Sequence, residues 1–131
     1  MNESNKKIIL TAGGTGGHLY GALSLTEELK INGYEVFLFT DKRVETLLRD
    51  FDLSRIRIIP SGTFTNTRLI DWPVISFKIL IGLIYSLFYT LRISPKLVIG
   101  FGGYPTIPAI FAAKLLNIKI IIHEQNKIIG R

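Results

Sequence analysis

Residues 12–18 read Ala-Gly-Gly-Thr-Gly-Gly-His and follow directly on the apolar run Lys7-Ile8-Ile9-Leu10-Thr11. A strand that ends in glycines and leads into a helix makes a backbone cradle for an anion. Glycines allow the tight turn and bring N–H groups close to a ligand, and the following helix adds the positive end of its dipole. His18, at the rim, places a group that titrates near neutral pH beside that anion site. Two other segments carry chemistry of the same kind: Gly100-Phe101-Gly102-Gly103-Tyr104-Pro105 and His123-Glu124-Gln125-Asn126.

The elements that must position these segments follow from the periodicity. Strands are expected at 6–12, 34–40, 55–60, 96–101 and 118–122, with helices over 18–31, 42–51, 73–93 and from about 106 to 116. In the helix at 18–31, Leu19, Ala22, Leu23, Leu25, Leu29 and Ile31 form the apolar face. Strands alternating with helices give an α/β, Rossmann-like parallel sheet covered on both faces, as a single domain over 1–131. Ligands in such sheets bind beyond the carboxyl ends of the strands, so the three segments converge on one edge.

The loop fails two common phosphate-binding patterns. The NTPase phosphate loop needs a Lys-Ser/Thr pair after its last glycine, where His18-Leu19 stands, and the dinucleotide fingerprint needs a glycine at Leu19. Asp41, at the end of the second strand, either binds a ribose hydroxyl or caps the next helix, and capping is favoured.

The order Gly-Gly-Thr-Gly-Gly-His, Gly-Phe-Gly-Gly-Tyr-Pro, His-Glu-Gln-Asn resembles the MurG family of glycosyltransferases over nearly the whole chain. The resemblance implies the N-terminal half of a two-domain GT-B enzyme. Such enzymes transfer N-acetylglucosamine from its UDP conjugate to undecaprenyl-pyrophosphoryl-N-acetylmuramyl-pentapeptide, with inversion, in peptidoglycan synthesis. It implies His18 as the base that takes the acceptor hydroxyl proton, or as a hydrogen-bonding partner of the loop or a phosphate. Glu124 is the competing base, or a structural carboxylate bonded to backbone N–H groups.

Gly14, Thr15, Gly16 and Gly17 are assigned to binding a pyrophosphate, and the first loop with Asn126 to the UDP-sugar side of the cleft. Gly102, Gly103 and Tyr104 are either a second pyrophosphate contact or a turn that positions the next helix. His123, after an apolar strand, reads as a satisfied core histidine. Two departures stand out: Gly21 lies where the family carries proline, which loosens the first helical turn. The sequence also ends at Arg131, before the second domain that holds most of the donor site. The expectation is an acceptor-binding half, inactive alone, that needs a C-terminal domain or a split partner. The alternatives are a non-catalytic membrane-anchoring subunit of a split transferase and a nucleotide-binding Rossmann module.

Composition bounds the remaining classes. The chain has 131 residues, 47% hydrophobic and 20% charged, which suits a globular domain with a real core. It has no cysteine, which excludes a disulfide scaffold and a thiolate metal site. The two histidines lie at opposite ends without an acidic cluster, so neither a metal nor another cofactor is expected. A formal charge of +6 calls for an anionic partner. The basic residues form no dense block and do not interleave with aromatics, so nucleic acid is not that partner.

Between Lys78 and Arg92 lie thirteen uncharged residues, too few to cross a bilayer, which takes about 20. On a helical wheel Lys78, Gly82, Tyr85, Ser86, Tyr89 and Arg92 occupy a narrow arc. Ile79, Leu80, Leu83, Ile84, Leu87, Phe88 and Leu91 take the rest, as a buried core helix would. At its N-terminal end Trp72, Phe77, Arg68 and Lys78 suit contact with an anionic membrane surface. No signal-peptide core is seen at the N-terminus, so the expected location is the cytoplasmic face of the bacterial inner membrane, held peripherally.

Overall fold

The computed structural model describes residues 3–14, 16–48, 51–62 and 68–123. Five parallel strands, β1 (Lys7–Thr11), β2 (Glu35–Thr40), β3 (Ile56–Ile58), β4 (Leu97–Gly100) and β5 (Lys119–Ile122), form one sheet in the order β3-β2-β1-β4-β5. From β1 the chain builds outward to β2 and β3, then returns to place β4 on the other side of β1. The switch point therefore lies between the carboxyl ends of β1 and β4, where such folds leave a crevice.

Alternation along β1 sends its side chains to two cores. Ile8 and Leu10 join Leu19, Ala22, Val36 and Leu38 beneath α1 (Gly16–Ile31). Ile9 joins Phe39, Val98, Ile93, Ala109 and Ala113 beneath α2 (Trp72–Ile93) and α3 (Thr106–Leu115). Central strands buried on both faces explain the near-continuous apolar runs of the sequence.

The expected elements are present with altered extents. α1 runs unbroken through Gly21, so the missing proline does not interrupt its first turns. Ile31 lies 79% exposed instead of on the apolar face. Thr26 takes the buried position and satisfies its hydroxyl by donating to the Ala22 carbonyl at 2.8 Å. The helix expected at 42–51 is a 3-10 segment over Lys42–Leu48, and β3 spans only three residues.

The largest correction concerns α2. Its buried stripe is Ile75, Gly82, Ser86, Thr90 and Ile93, on the small-residue arc. The apolar remainder points outward: Phe77, Leu80, Ile84, Phe88 and Leu91 are all more than half exposed. The physical reason is close approach. A Cβ at Gly82 would collide with the Pro60 carbonyl oxygen and touch Pro108 of α3. Small residues let the helix sit tight on the β3 end and on α3, and bulky ones are left on the far side. The helix is also one continuous span from Trp72 to Ile93, long and apolar enough to cross a membrane by length and composition, yet one face is engaged in the domain core.

Candidate functional site

At the switch point the two glycine loops lie directly on one another. Gly13 N–H donates to the Gly102 carbonyl at 3.1 Å, and Phe101 N–H to the Thr11 carbonyl at 2.9 Å. Gly103 has φ +87°, and a Cβ there would collide with the Gly13 carbonyl. A Cβ on Gly13 would in turn strike Pro105 and the Asp41 carboxylate. Backbone packs on backbone, and only glycine fits. The Thr106 hydroxyl, at the start of α3, donates to the Gly102 carbonyl at 2.8 Å and fixes the second loop from behind.

His18 sits in the first turn of α1, half-buried, with its imidazole against the Gly102 backbone. A Cβ at Gly102 would lie 2.9 Å from its Cε1. Its Nδ1 is buried and has no hydrogen-bond partner among the described residues. No carboxylate therefore orients the ring there, and any base at this position acts as an imidazole held by packing. Gly16 and Gly17 are the first residues of α1, so their N–H groups belong to the positive end of its dipole.

Gly14 plays a different part from the one expected. Its N–H donates to Asp41 Oδ2 at 3.2 Å, so that donor is turned toward the protein. Asp41, 5% exposed, ties the site together. Its Oδ1 accepts the Arg43 N–H at 2.8 Å, which is the capping geometry at the start of Lys42–Leu48, and Arg43 Nε at 3.2 Å. Oδ2 accepts Arg43 Nη2 at 2.6 Å. This pairing pushes the Arg43 pKa above its ordinary value, so the guanidinium stays charged. The same guanidinium lies 5.1 Å from the centre of the Tyr104 ring. One ion pair thus spans both glycine loops.

Thr15, Glu124 and Asn126 lie outside the described residues. His123 is exposed, not a core residue, and rests against Phe101 with ring centres 5.3 Å apart. Arg68, Trp72 and Phe77 lie exposed at the α2 end, away from the loop contacts. Lys78 instead lines a cavity of about 540 Å³ with Lys42, Arg43 and Tyr85, beside the Asp41 carboxylate. Arg43 escaped the sequence reading because it falls inside what looked like a polar surface helix. The signal for it was an Asp-Lys-Arg run at the carboxyl end of a strand beside the glycine loop.

The family model of the glycosyltransferase family 28 N-terminal domain matches residues 8–131. The chain belongs to this family. A "UDP-N-acetylglucosamine--N-acetylmuramyl-(pentapeptide) pyrophosphoryl-undecaprenol N-acetylglucosamine transferase" from Rhizobium meliloti is 43% identical over 124 residues, covering 95% of this chain and 33% of the relative. The enzyme of the same name from Bartonella tribocorum is 44% identical, covering the whole chain and 34% of its own length. The family 28 domain thus spans about a third of the length of the curated relatives it matches. The crystal structure of Acinetobacter baumannii MurG superposes with a TM-score of 0.80 at 32% identity, over 95% of this chain and 37% of that one. The calicheamicin glycosyltransferase CalG4 gives 0.63 at 14% identity, which shows the shared Rossmann-like fold alone.

Proposed function

We propose that this family 28 domain is the acceptor-binding part of an inverting transferase of peptidoglycan synthesis. The whole enzyme would move N-acetylglucosamine from UDP-N-acetylglucosamine to undecaprenyl-pyrophosphoryl-N-acetylmuramyl-pentapeptide. The observation that carries this reading is the pair of interlocked glycine loops at the switch point, with His18 against the second loop and the α1 N-terminus beside the first. Backbone N–H groups and a helix dipole are suited to a pyrophosphate, which the acceptor and the departing UDP both carry.

In the reaction the muramyl hydroxyl oxygen bonds to C1 of the donor sugar as the bond from C1 to the UDP oxygen breaks. The hydroxyl proton passes to a base, for which His18 is the described residue in place. Negative charge developing on UDP is met by dipoles and N–H groups, the latter shared with the missing two thirds of the relatives' length.

The outward apolar stripe of α2 suits an acceptor with a polyprenyl tail. Val74, Phe77, Leu80, Ile84, Phe88 and Leu91 recur at helical spacing over about 25 Å, with Arg68 and Trp72 near one end and Arg92 at the other. Such a stripe lies in the plane of an anionic bilayer surface and supports peripheral attachment at the cytoplasmic face. It equally suits an anchoring subunit without catalytic residues, the second reading.

Reconstitution separates the two. The chain is mixed with the C-terminal part of a relative, UDP-N-acetylglucosamine and lipid-linked acceptor. Product is expected from the mixture and from neither part alone. An anchoring subunit would give product whose rate is indifferent to His18, whereas turnover by the isolated chain would refute the acceptor-domain reading.

A further inference from the structure

The cavity beside the glycine loops has no part in the chemistry above, yet its walls are those of a ligand site. It measures about 540 Å³, within the roughly 300–1,000 Å³ range of ligand pockets and far larger than a single phosphate needs. Its donors come from three elements: Lys42 and Arg43 after β2, Ser61 after β3, and Lys78 with Tyr85 on α2. Ile59 and Pro60 supply apolar wall between them.

Asp41 neutralises Arg43 at 2.6 Å, while Lys42 and Lys78 enter no ion pair among the described residues. Two ammonium charges are left facing one cavity. Arg43 also borders the first glycine loop, its Nη2 lying 3.4 Å from where a Gly14 Cβ would stand. A ligand anchored on the loops can therefore extend past Arg43 into the cavity without crossing solvent.

We propose that this cavity is a subsite for the anionic peptide arm of the acceptor, with Lys42 and Lys78 meeting peptide carboxylates. The inference rests on the acceptor-domain reading above. Dispersed point charges separated by apolar wall fit a short peptide. A pyrophosphate instead calls for donors converging on one point, as the glycine loops provide. The polyprenyl arm belongs on the uncharged outer stripe of α2, which leaves the peptide as the arm for the charged side.

The test is calorimetric titration of the chain with N-acetylmuramyl-pentapeptide, N-acetylmuramic acid and inorganic pyrophosphate. The pentapeptide should raise affinity over the bare sugar by about tenfold. Lys42→Ala with Lys78→Ala should erase that gain, Lys78→Arg should retain most of it, and pyrophosphate affinity should stay the same in all three proteins. Melting curves establish that the variants remain folded. If the pentapeptide gains nothing over the bare sugar while pyrophosphate still binds, the subsite is wrong and the loop reading stands. If the lysine variants lose pyrophosphate by the same factor, the cavity holds the pyrophosphate and the peptide assignment falls. Absence of binding by all three ligands defeats both.

Discussion

At the scale of single residues, Asp41 and Arg43 do for the site what its glycines cannot do for themselves. Glycines permit close packing but add no restraint, and a loop with positive φ at Gly14, Gly102 and Gly103 needs to be held. The buried carboxylate takes the Gly14 N–H, and the guanidinium it holds lies over Tyr104, so both loops are fixed by one pair. His18 is held differently, by contact of its ring with Gly102. In the reconstituted transferase His18→Ala should lower kcat by about 10²- to 10⁴-fold, the usual contribution of a general base, with little change in KM. A rise in KM at constant kcat would make it a binding residue instead. The sequence displayed His18 and the glycines openly because motif and position coincide. Arg43 was hidden because its role depends on the β2 end lying beside β1, a fact of topology and not of local pattern.

At the scale of elements, the sheet was legible and α2 was not. Strands β1, β2 and β4 announce themselves as apolar runs, since burial on both faces leaves no polar alternation. Helix α2 carries an apolar surface wider than the core needs, and hydrophobicity alone would bury the wrong face. What decides its orientation is the room available against the Pro60 carbonyl and Pro108. Ser86 shows the same preference for size over polarity, its hydroxyl buried without a hydrogen-bond partner among the described residues. Gly82→Ala should therefore destabilise the domain by about 1–3 kcal/mol through overpacking. In a domain of this size that lowers Tm by on the order of 5–10 °C, read by thermal unfolding followed by circular dichroism. An unchanged Tm would mean that α2 is not seated this closely.

At the scale of the whole molecule, three surfaces of the domain meet around one corner. The interlocked loops suit a pyrophosphate, the cavity lined by Lys42 and Lys78 suits further anionic groups, and the outer stripe of α2 suits lipid. An amphiphile that is charged in the middle and apolar at one end satisfies all three together, which neither a free nucleotide nor a bare membrane does. The measurement that tests this most directly is partitioning of the chain onto vesicles of fixed anionic lipid content, with and without pyrophosphoryl-linked acceptor. The acceptor should tighten binding by about tenfold or more, and millimolar inorganic pyrophosphate should remove that increment. Equal partitioning onto both kinds of vesicle would contradict a role in holding the lipid-linked acceptor.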